Sequence, residues 1–74
     1  MTNVIRRTNN RAKQATYVVE NGAEVAKVFK SGMCGKFIAC VYALGKTMYF
    51  DSFDDAITET DSLFEGLGCK VYWN

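Results

Sequence analysis

The 74-residue chain contains no histidine and no proline. Histidine is the side chain that most often performs general acid–base chemistry near neutral pH. No activated nucleophile takes its place, and no pair of carboxylates flanks an evident pocket. The absence of proline suits a chain made mostly of regular elements. We therefore expect a folded protein that is not an enzyme and acts by binding.

Long apolar runs are also missing. No stretch approaches the ~20 residues of a membrane span, and no secretory hydrophobic region opens the chain. We therefore expect a cytoplasmic protein without a membrane partner. An odd number of cysteines without an export signal favours reduced thiols, and without histidine or a C-x-x-C spacing they are a poor metal site. We expect no metal and no other cofactor, and interpret the cysteines as packing residues: Cys34, Cys40 and Cys69.

Residues 35–66 predict a hairpin followed by one helix. Apolar residues alternate before and after the turn Leu44-Gly45-Lys46, as in two half-buried strands. Ser52 followed by Asp55 fits a helix cap, and the helix should run to about residue 65. Its apolar arc should pack against the alternate strand residues and Phe53, and these helix-facing residues are Phe37, Val41, Met48, Phe50 and Phe53.

A second hairpin is predicted around Asn21-Gly22, with strands near residues 16–20 and 23–30, and residues 69–73 predict a last strand. The fold class is therefore α+β: an antiparallel meander sheet, ββββαβ, with one amphipathic helix packed on one face. Residues 15–74 should form one compact domain. Residues 1–14 lack hydrophobic periodicity and predict a flexible N-terminal arm.

Charge is segregated along the chain although its net value is only +1. The predicted arm carries four cations and no acid, which would suit phosphate contacts: Arg6, Arg7, Arg11 and Lys13. The predicted helix carries an acidic face and no base, which is either a solvated surface or a docking site for a basic partner: Asp54, Asp55, Glu59, Asp61 and Glu65.

The central stretch resembles the DNA-binding domain of plant ethylene-response (APETALA-type) factors and the arm-binding domains of phage-type integrases. Gly35-Lys36-Phe37 with its alternating strand, and Gly45-Lys46 followed by an apolar-aromatic run to Phe50-Asp51, carry the resemblance. It implies a three-stranded sheet backed by one helix. The family reads the major groove with arginines and tryptophan, whereas the matching positions here are Ile38, Cys40, Tyr42, Thr47 and Tyr49.

One helix leaves the second face of the predicted sheet uncovered. Its expected binding residues are Lys36, Ile38, Tyr42, Lys46 and Tyr49. The chain termini, a protein partner, a second copy or unpaired bases could cover it. The first hypothesis is a small inhibitor, similar in size and economy to phage anti-CRISPR and anti-restriction proteins, that occludes a nucleic-acid-processing protein. The alternative is a nucleic-acid-binding domain that uses the sheet face and the arm. An obligate homodimer is a third possibility.

Overall fold

The structure, a computed structural model, describes residues 2–33 and 35–73. Within them, six strands and one α-helix follow one another along the chain. They are β1 (Asn3–Asn9), β2 (Gln14–Val19), β3 (Glu24–Lys30), β4 (Phe37–Val41), β5 (Lys46–Phe50), α1 (Phe53–Gly66) and β6 (Lys70–Trp73). A short 3-10 turn, Tyr42–Leu44, joins β4 to β5.

The strands form one sheet in the order β5-β4-β3-β2-β1-β6. All neighbours are antiparallel except β1 and β6, which run parallel. The α+β class is confirmed, with an antiparallel meander from β5 to β1 and one helix packed against the sheet. The sheet has one strand more than ββββαβ, because the N-terminal segment joins it.

The expected flexible arm is wrong for residues 3–9, which form β1 between β2 and β6. Val4 pairs with Val19 on one side and Val71 on the other, and its side chain is buried in the hydrophobic core. Arg11 and Lys13 lie in the tight turn that joins β1 to β2, and Met1 lies outside the described residues. The segment is ordered because its backbone hydrogen bonds are satisfied by two neighbouring strands.

The helix begins where the sequence predicts. The Ser52 hydroxyl accepts a 3.1 Å hydrogen bond from the Asp55 backbone N–H, which satisfies one of the free donors of the first turn. The helix ends at Gly66, one residue beyond the predicted end. Its buried residues recur at helical spacing and face the sheet: Phe53, Ala56, Thr60 and Phe64.

The helix packs over small side chains at the centre of the sheet. Ala15, Ala26 and Ala39 are fully buried, and so are the larger Tyr17 and Val28 beside them. Tyr17 stacks on Phe64 of the helix with ring centroids 5.4 Å apart. The predicted helix-facing residues take these positions: Val41 and Phe53 are buried in the core, and Phe37, Met48 and Phe50 pack at its edge.

Both predicted turns form. At the first hairpin Gly22 has a φ of 89°, and the Asn21 side chain accepts a 2.9 Å hydrogen bond from the Ala23 backbone N–H. Gly45 has a φ of 61°, the left-handed conformation that the turn before β5 requires. These two turns set the register of the strands, and therefore decide which side chains reach the uncovered face.

Candidate functional site

The sheet face away from α1 is the most distinctive surface of the protein, and we call it the open face. Residues directly opposite each other on neighbouring strands point to the same side, so the registers define its members. No helix or strand within residues 2–33 and 35–73 covers them. Its twelve central residues are Ile5, Arg7, Thr16, Val18, Lys27, Phe29, Ile38, Cys40, Thr47, Tyr49, Lys70 and Tyr72.

Apolar and aromatic side chains form two rows across the open face. Tyr49, Ile38 and Phe29 stand opposite one another on β5, β4 and β3. At the other end of the face, Tyr72, Ile5 and Val18 do the same on β6, β1 and β2. Tyr49 and Tyr72 are 62% and 44% exposed. The two tyrosines at the ends of the rows are therefore accessible to a ligand, whereas Phe29, Ile38 and Ile5 are half-buried and Val18 is buried among its neighbours.

Three cations lie among these rows. Lys27 and Arg7 both stand opposite Thr16, in a row between the two apolar rows. The ammonium of Lys27 lies 5.7 Å from the Phe29 ring centroid, and that of Lys70 lies 5.4 Å from the Tyr72 ring centroid. None of the twelve residues carries a carboxylate, so the centre of the open face is positively charged.

The acids nearest to this face lie at its margins. Glu20 accepts a 2.9 Å hydrogen bond from Asn3, which stands opposite Lys70. Glu24 stands opposite Val18 at the first residue of β3. Desolvation raises the pKa of the Tyr42 hydroxyl, and so does a hydrogen bond to the Glu24 carboxylate. Asp51 follows β5 and accepts a 2.7 Å hydrogen bond from Lys36, which lowers the pKa of the Asp51 carboxyl. The field at the centre of the face therefore comes from the three cations.

The sheet-face residues expected from the sequence only partly reach this surface. Ile38 and Tyr49 lie on it. Tyr42 lies just beyond β4 in the 3-10 turn, and Lys36 precedes β4 and pairs with Asp51. The predicted position of Lys46 on this face is wrong, because Lys46 stands opposite Val41 and therefore lies on the helix side of the sheet.

The residues predicted from the sequence for the sheet face include none of the three cations and one of the three rings of this site. Lys27 and Phe29 alternate with the buried Ala26 and Val28 in β3, and Lys70 and Tyr72 flank Val71 in β6. This alternation of buried and exposed residues is the sequence pattern that indicates which side chains of β3 and β6 share a face. The sequence predicts Arg7 in a flexible arm, whereas the pairing of β1 with β2 puts Arg7 opposite Thr16 on the open face.

The acidic helix face is smaller than the sequence indicates. Asp54, Asp55, Glu59 and Glu65 are exposed, and no salt bridge reaches them within residues 2–33 and 35–73. Asp61 does not belong to this surface. Its side chain is 13% exposed and forms a salt bridge with Arg6 of β1, whose side chain is also 13% exposed.

Asp61 is the centre of a hydrogen-bonded cluster between α1 and the sheet. Its carboxylate accepts hydrogen bonds from Arg6 at 2.5 Å, from the Tyr17 hydroxyl at 2.6 Å and from the Trp73 indole N–H at 3.3 Å. The Arg6 guanidinium carbon lies 5.2 Å from the centroid of the Trp73 ring. Burial, and then the neighbouring carboxylate, raise the pKa of Tyr17 far above its usual value. Arg6 and Asp61 thus hold the structure together and are not free for a partner.

The other features of the described residues offer little chemistry. A shallow depression of about 310 Å³ is lined by Thr2, Asn3, Val19, Glu20 and Asn21, and the Asn3 amide donates to the Glu20 carboxylate there. No group of three or more possible metal ligands occurs in residues 2–33 and 35–73. Cys40 and Cys69 are half-buried, and Cys34 lies outside the described residues.

Within the same part of the chain, no helix is long and apolar enough to cross a membrane. Comparisons with protein families, with curated proteins and with solved structures gave no match. The resemblance of the central stretch to the plant-factor and integrase domains therefore stays a prediction.

Proposed function

We propose that this protein binds single-stranded nucleic acid on the open face of its sheet. The observation that supports the proposal is the combination of aromatic rings and three cations on one uncovered surface, whose twelve central residues include no carboxylate. Single-strand-binding sheets use this combination, because aromatic rings stack on bases and lysine or arginine neutralises phosphates. The function is non-enzymatic, and a cytoplasmic location remains an expectation.

The distribution of the acids supports the same ligand. The exposed carboxylates of α1 lie on the opposite side of the sheet from Arg7, Lys27 and Lys70. A polyanion approaching the open face therefore meets attractive charge first. The acidic residues of the helix lie beyond the sheet, at a Debye length (~10 Å) or more, where salt weakens their repulsion. This is the arrangement that accelerates association with a negatively charged ligand.

A second copy of the chain is a poorer occupant of the open face. Two open faces packed against each other would bring two sets of three cations together, with no carboxylate among their central residues. Like charges placed in a dry interface cost several kcal/mol unless they are paired, by the order of magnitude found in other interfaces. The homodimer interpretation therefore has weaker support than a polyanionic ligand.

The test is a salt titration of binding to a labelled oligothymidylate, measured by fluorescence anisotropy. Three phosphate contacts predict a log–log slope of about −2, which is a roughly 20-fold loss of affinity between about 50 and 200 mM salt. Replacing Lys27 by Gln should reduce the slope by about 0.7.

Lys30→Gln is the matched control, since Lys30 is an exposed lysine of the same strand that stands opposite Phe37 on the helix side. It should leave the slope unchanged. Absence of binding at low salt, or equal effects of the Lys27 and Lys30 substitutions, would show that the open face does not hold a polyanion.

A second candidate is an inhibitor that places the acidic face of α1 in the basic groove of a nucleic-acid-processing protein. It is favoured by the four exposed carboxylates of α1, Asp54, Asp55, Glu59 and Glu65, to which the described part of the chain forms no salt bridge. Its test is inhibition of DNA cleavage by a purified RNA-guided nuclease. Inhibition that disappears with Asp55→Lys and Glu59→Lys supports this candidate, and a panel of nucleases without inhibition rejects it. A phage origin is likewise only a hypothesis.

A further inference from the structure

The rings of the open face lie on different strands, and this restricts how a ligand can cross it. Tyr49 is on the edge strand β5, Phe29 is on β3 and Tyr72 is on the opposite edge strand β6. No single strand carries two of these rings. A ligand that stacks on all of them must therefore run across the strands rather than along one of them.

We infer, on the basis of the proposed function, that the open face holds a single strand of about five to seven nucleotides lying diagonally from Tyr49 to Tyr72. Bases stack on Tyr49, Phe29 and Tyr72. Lys27 and Arg7, in the row between the rings, contact the phosphates of the middle nucleotides. Lys70 contacts the phosphate next to Tyr72.

The length follows from the dimensions of the sheet. Six strands span five intervals of about 4.8 Å, so the edge strands are about 24 Å apart. The Tyr49 row and the Tyr72 row are also about four residues apart along the strands, which adds about 13 Å in that direction and gives a diagonal of roughly 27 Å. A fully stacked strand advances about 3.4 Å per nucleotide and would need about nine nucleotides to cover the diagonal. Because the rings lie about 10 Å or more apart, the strand must be splayed and advances further per nucleotide, so about five to seven nucleotides cover the diagonal.

The spacing of the rings also predicts which bases matter. Tyr49 and Phe29 are two strands apart, about 10 Å, whereas Phe29 and Tyr72 are three strands apart, about 14 Å before the diagonal is counted. Between Phe29 and Tyr72 the face presents Thr16 and Arg7, neither of which has a ring. Middle bases therefore have no stacking partner, and their phosphates provide the contact.

A duplex does not meet these requirements, because its base faces are already stacked and hidden from side-chain rings. Readout of the major groove by a sheet relies on arginine or lysine contacts to guanine, and Arg7 is the single arginine among the twelve central residues of the open face. We therefore expect single strands to bind at least about ten-fold more tightly than duplexes of the same sequence and salt.

The first experiment measures affinity against oligothymidylate length, from two to twelve nucleotides, at constant low salt. Affinity should rise steeply up to about five to seven nucleotides and only weakly afterwards. An abasic scan of the shortest full-affinity oligonucleotide should then show losses near both ends and tolerance in the middle. A uniform loss at every position would contradict the diagonal arrangement.

Ring substitutions test the stacking positions while keeping apolar volume. Tyr49→Leu, Phe29→Leu and Tyr72→Leu should each weaken binding at least about five-fold. Leu67→Ala is the control, because Leu67 is an exposed apolar residue just beyond the helix, outside the open face. Circular dichroism should show that each variant is folded.

The thiol of Cys40 gives an independent readout. Cys40 stands between Lys27 and Thr47 on the open face, whereas Cys69 packs against the hydrophobic core. A bound heptanucleotide should slow alkylation of Cys40 by iodoacetamide and leave that of Cys69 unchanged, as resolved by peptide mass mapping.

The outcomes separate the inference from the proposed function. If no oligonucleotide binds at low salt, the proposed function is wrong. If oligonucleotides bind with the predicted salt slope but the three ring variants bind as the wild type does, nucleic-acid binding stands and the stacked diagonal path is wrong. Unchanged alkylation of Cys40 in the bound state would also overturn the path across the open face.

Discussion

Replacing Asp61 by Ala should severely destabilise the protein without touching its exposed acidic surface. Asp61 accepts hydrogen bonds from Arg6, Tyr17 and Trp73, which lie on three different strands. Truncation leaves the Arg6 guanidinium in a site where its side chain is only 13% exposed. It also leaves the buried Tyr17 hydroxyl with only a long, 3.4 Å contact to the Ile57 carbonyl.

The size of the effect can be bounded. Removing one partner of a fully buried ion pair costs about 3–5 kcal/mol, because the other charge stays desolvated and unpaired. Since water reaches both side chains at the edge of the helix, we expect about 2–4 kcal/mol here. A domain of 74 residues is typically stable by roughly 4–11 kcal/mol, so Asp61→Ala should remove a large share of the total.

Urea unfolding followed by circular dichroism and by tryptophan fluorescence measures this loss. Trp73 is the only tryptophan, and its indole N–H contacts Asp61, so its emission reports directly on the cluster. The matched control is Glu59→Ala on the exposed side of the same helix, which should change stability by less than about 0.5 kcal/mol. In a double-mutant cycle, Arg6→Ala combined with Asp61→Ala should cost less than the sum of the two single changes.

Equal stabilities of the Asp61 and Glu59 variants would refute the reasoning. Asp61 would then be one more solvated carboxylate, and the acidic face would again comprise five residues, as the sequence alone predicts. A destabilised Asp61 variant with additive behaviour in the cycle would also contradict the direct pairing with Arg6. The result therefore decides how much of the helix surface is free for a partner.

Substitutions at three further positions test the fold. Ser52→Ala should cost about 1 kcal/mol of unfolding free energy, because the first turn of α1 loses its cap, and Ser52→Asp should restore it. Thr60→Val should change the free energy of unfolding by less than about 1 kcal/mol, because the buried Thr60 hydroxyl only donates a 2.7 Å hydrogen bond to the Ala56 carbonyl of its own helix. A loss of unfolding free energy above about 2 kcal/mol would contradict this. The pKa of Tyr17 is raised in the folded protein, so the neutral hydroxyl stabilises the fold fully at pH values below the unfolded pKa of about 10. As pH rises above about 10, the free energy of unfolding falls by up to about 1.4 kcal/mol per pH unit. Urea midpoints should therefore fall less steeply above about pH 10 in Tyr17→Phe than in the wild type, and equal slopes would contradict the assignment.

Local signals in the sequence were sufficient for the hairpins and the helix. Asn21-Gly22 and Gly45 supply the backbone conformations that their turns require, and Ser52 caps the helix through its own side chain. Each of these signals acts over a few residues, so composition and spacing reveal it directly. The alternation of β3 also contained the open-face residues Lys27 and Phe29, although the sequence does not say which side of a sheet the helix will cover.

The sequence does not indicate the strand β1, because the stability of this strand comes from distant parts of the chain. Residues 3–9 include two arginines and two asparagines, which is a composition typical of a solvated terminus. Arg6 is accommodated on the helix side by a carboxylate 55 positions away, and the β1–β6 pair joins the two ends of the chain. Pairings of such long range leave no local pattern to be recognised.

The fold changes the meaning of the charge segregation seen in the sequence. Along the chain, a basic segment and an acidic segment suggested an arm and a helix that act separately. In the structure, Arg6 and Asp61 bind each other, while Arg7, one position further along the same strand, points to the other side of the sheet. There it joins Lys27 and Lys70, which the linear pattern assigned to neither segment. Because strand alternation sends adjacent arginines to opposite faces, one of them holds the helix in place and the other charges the open face. This separation is the reason that the sheet, rather than the helix or an arm, is the stronger candidate for the binding surface.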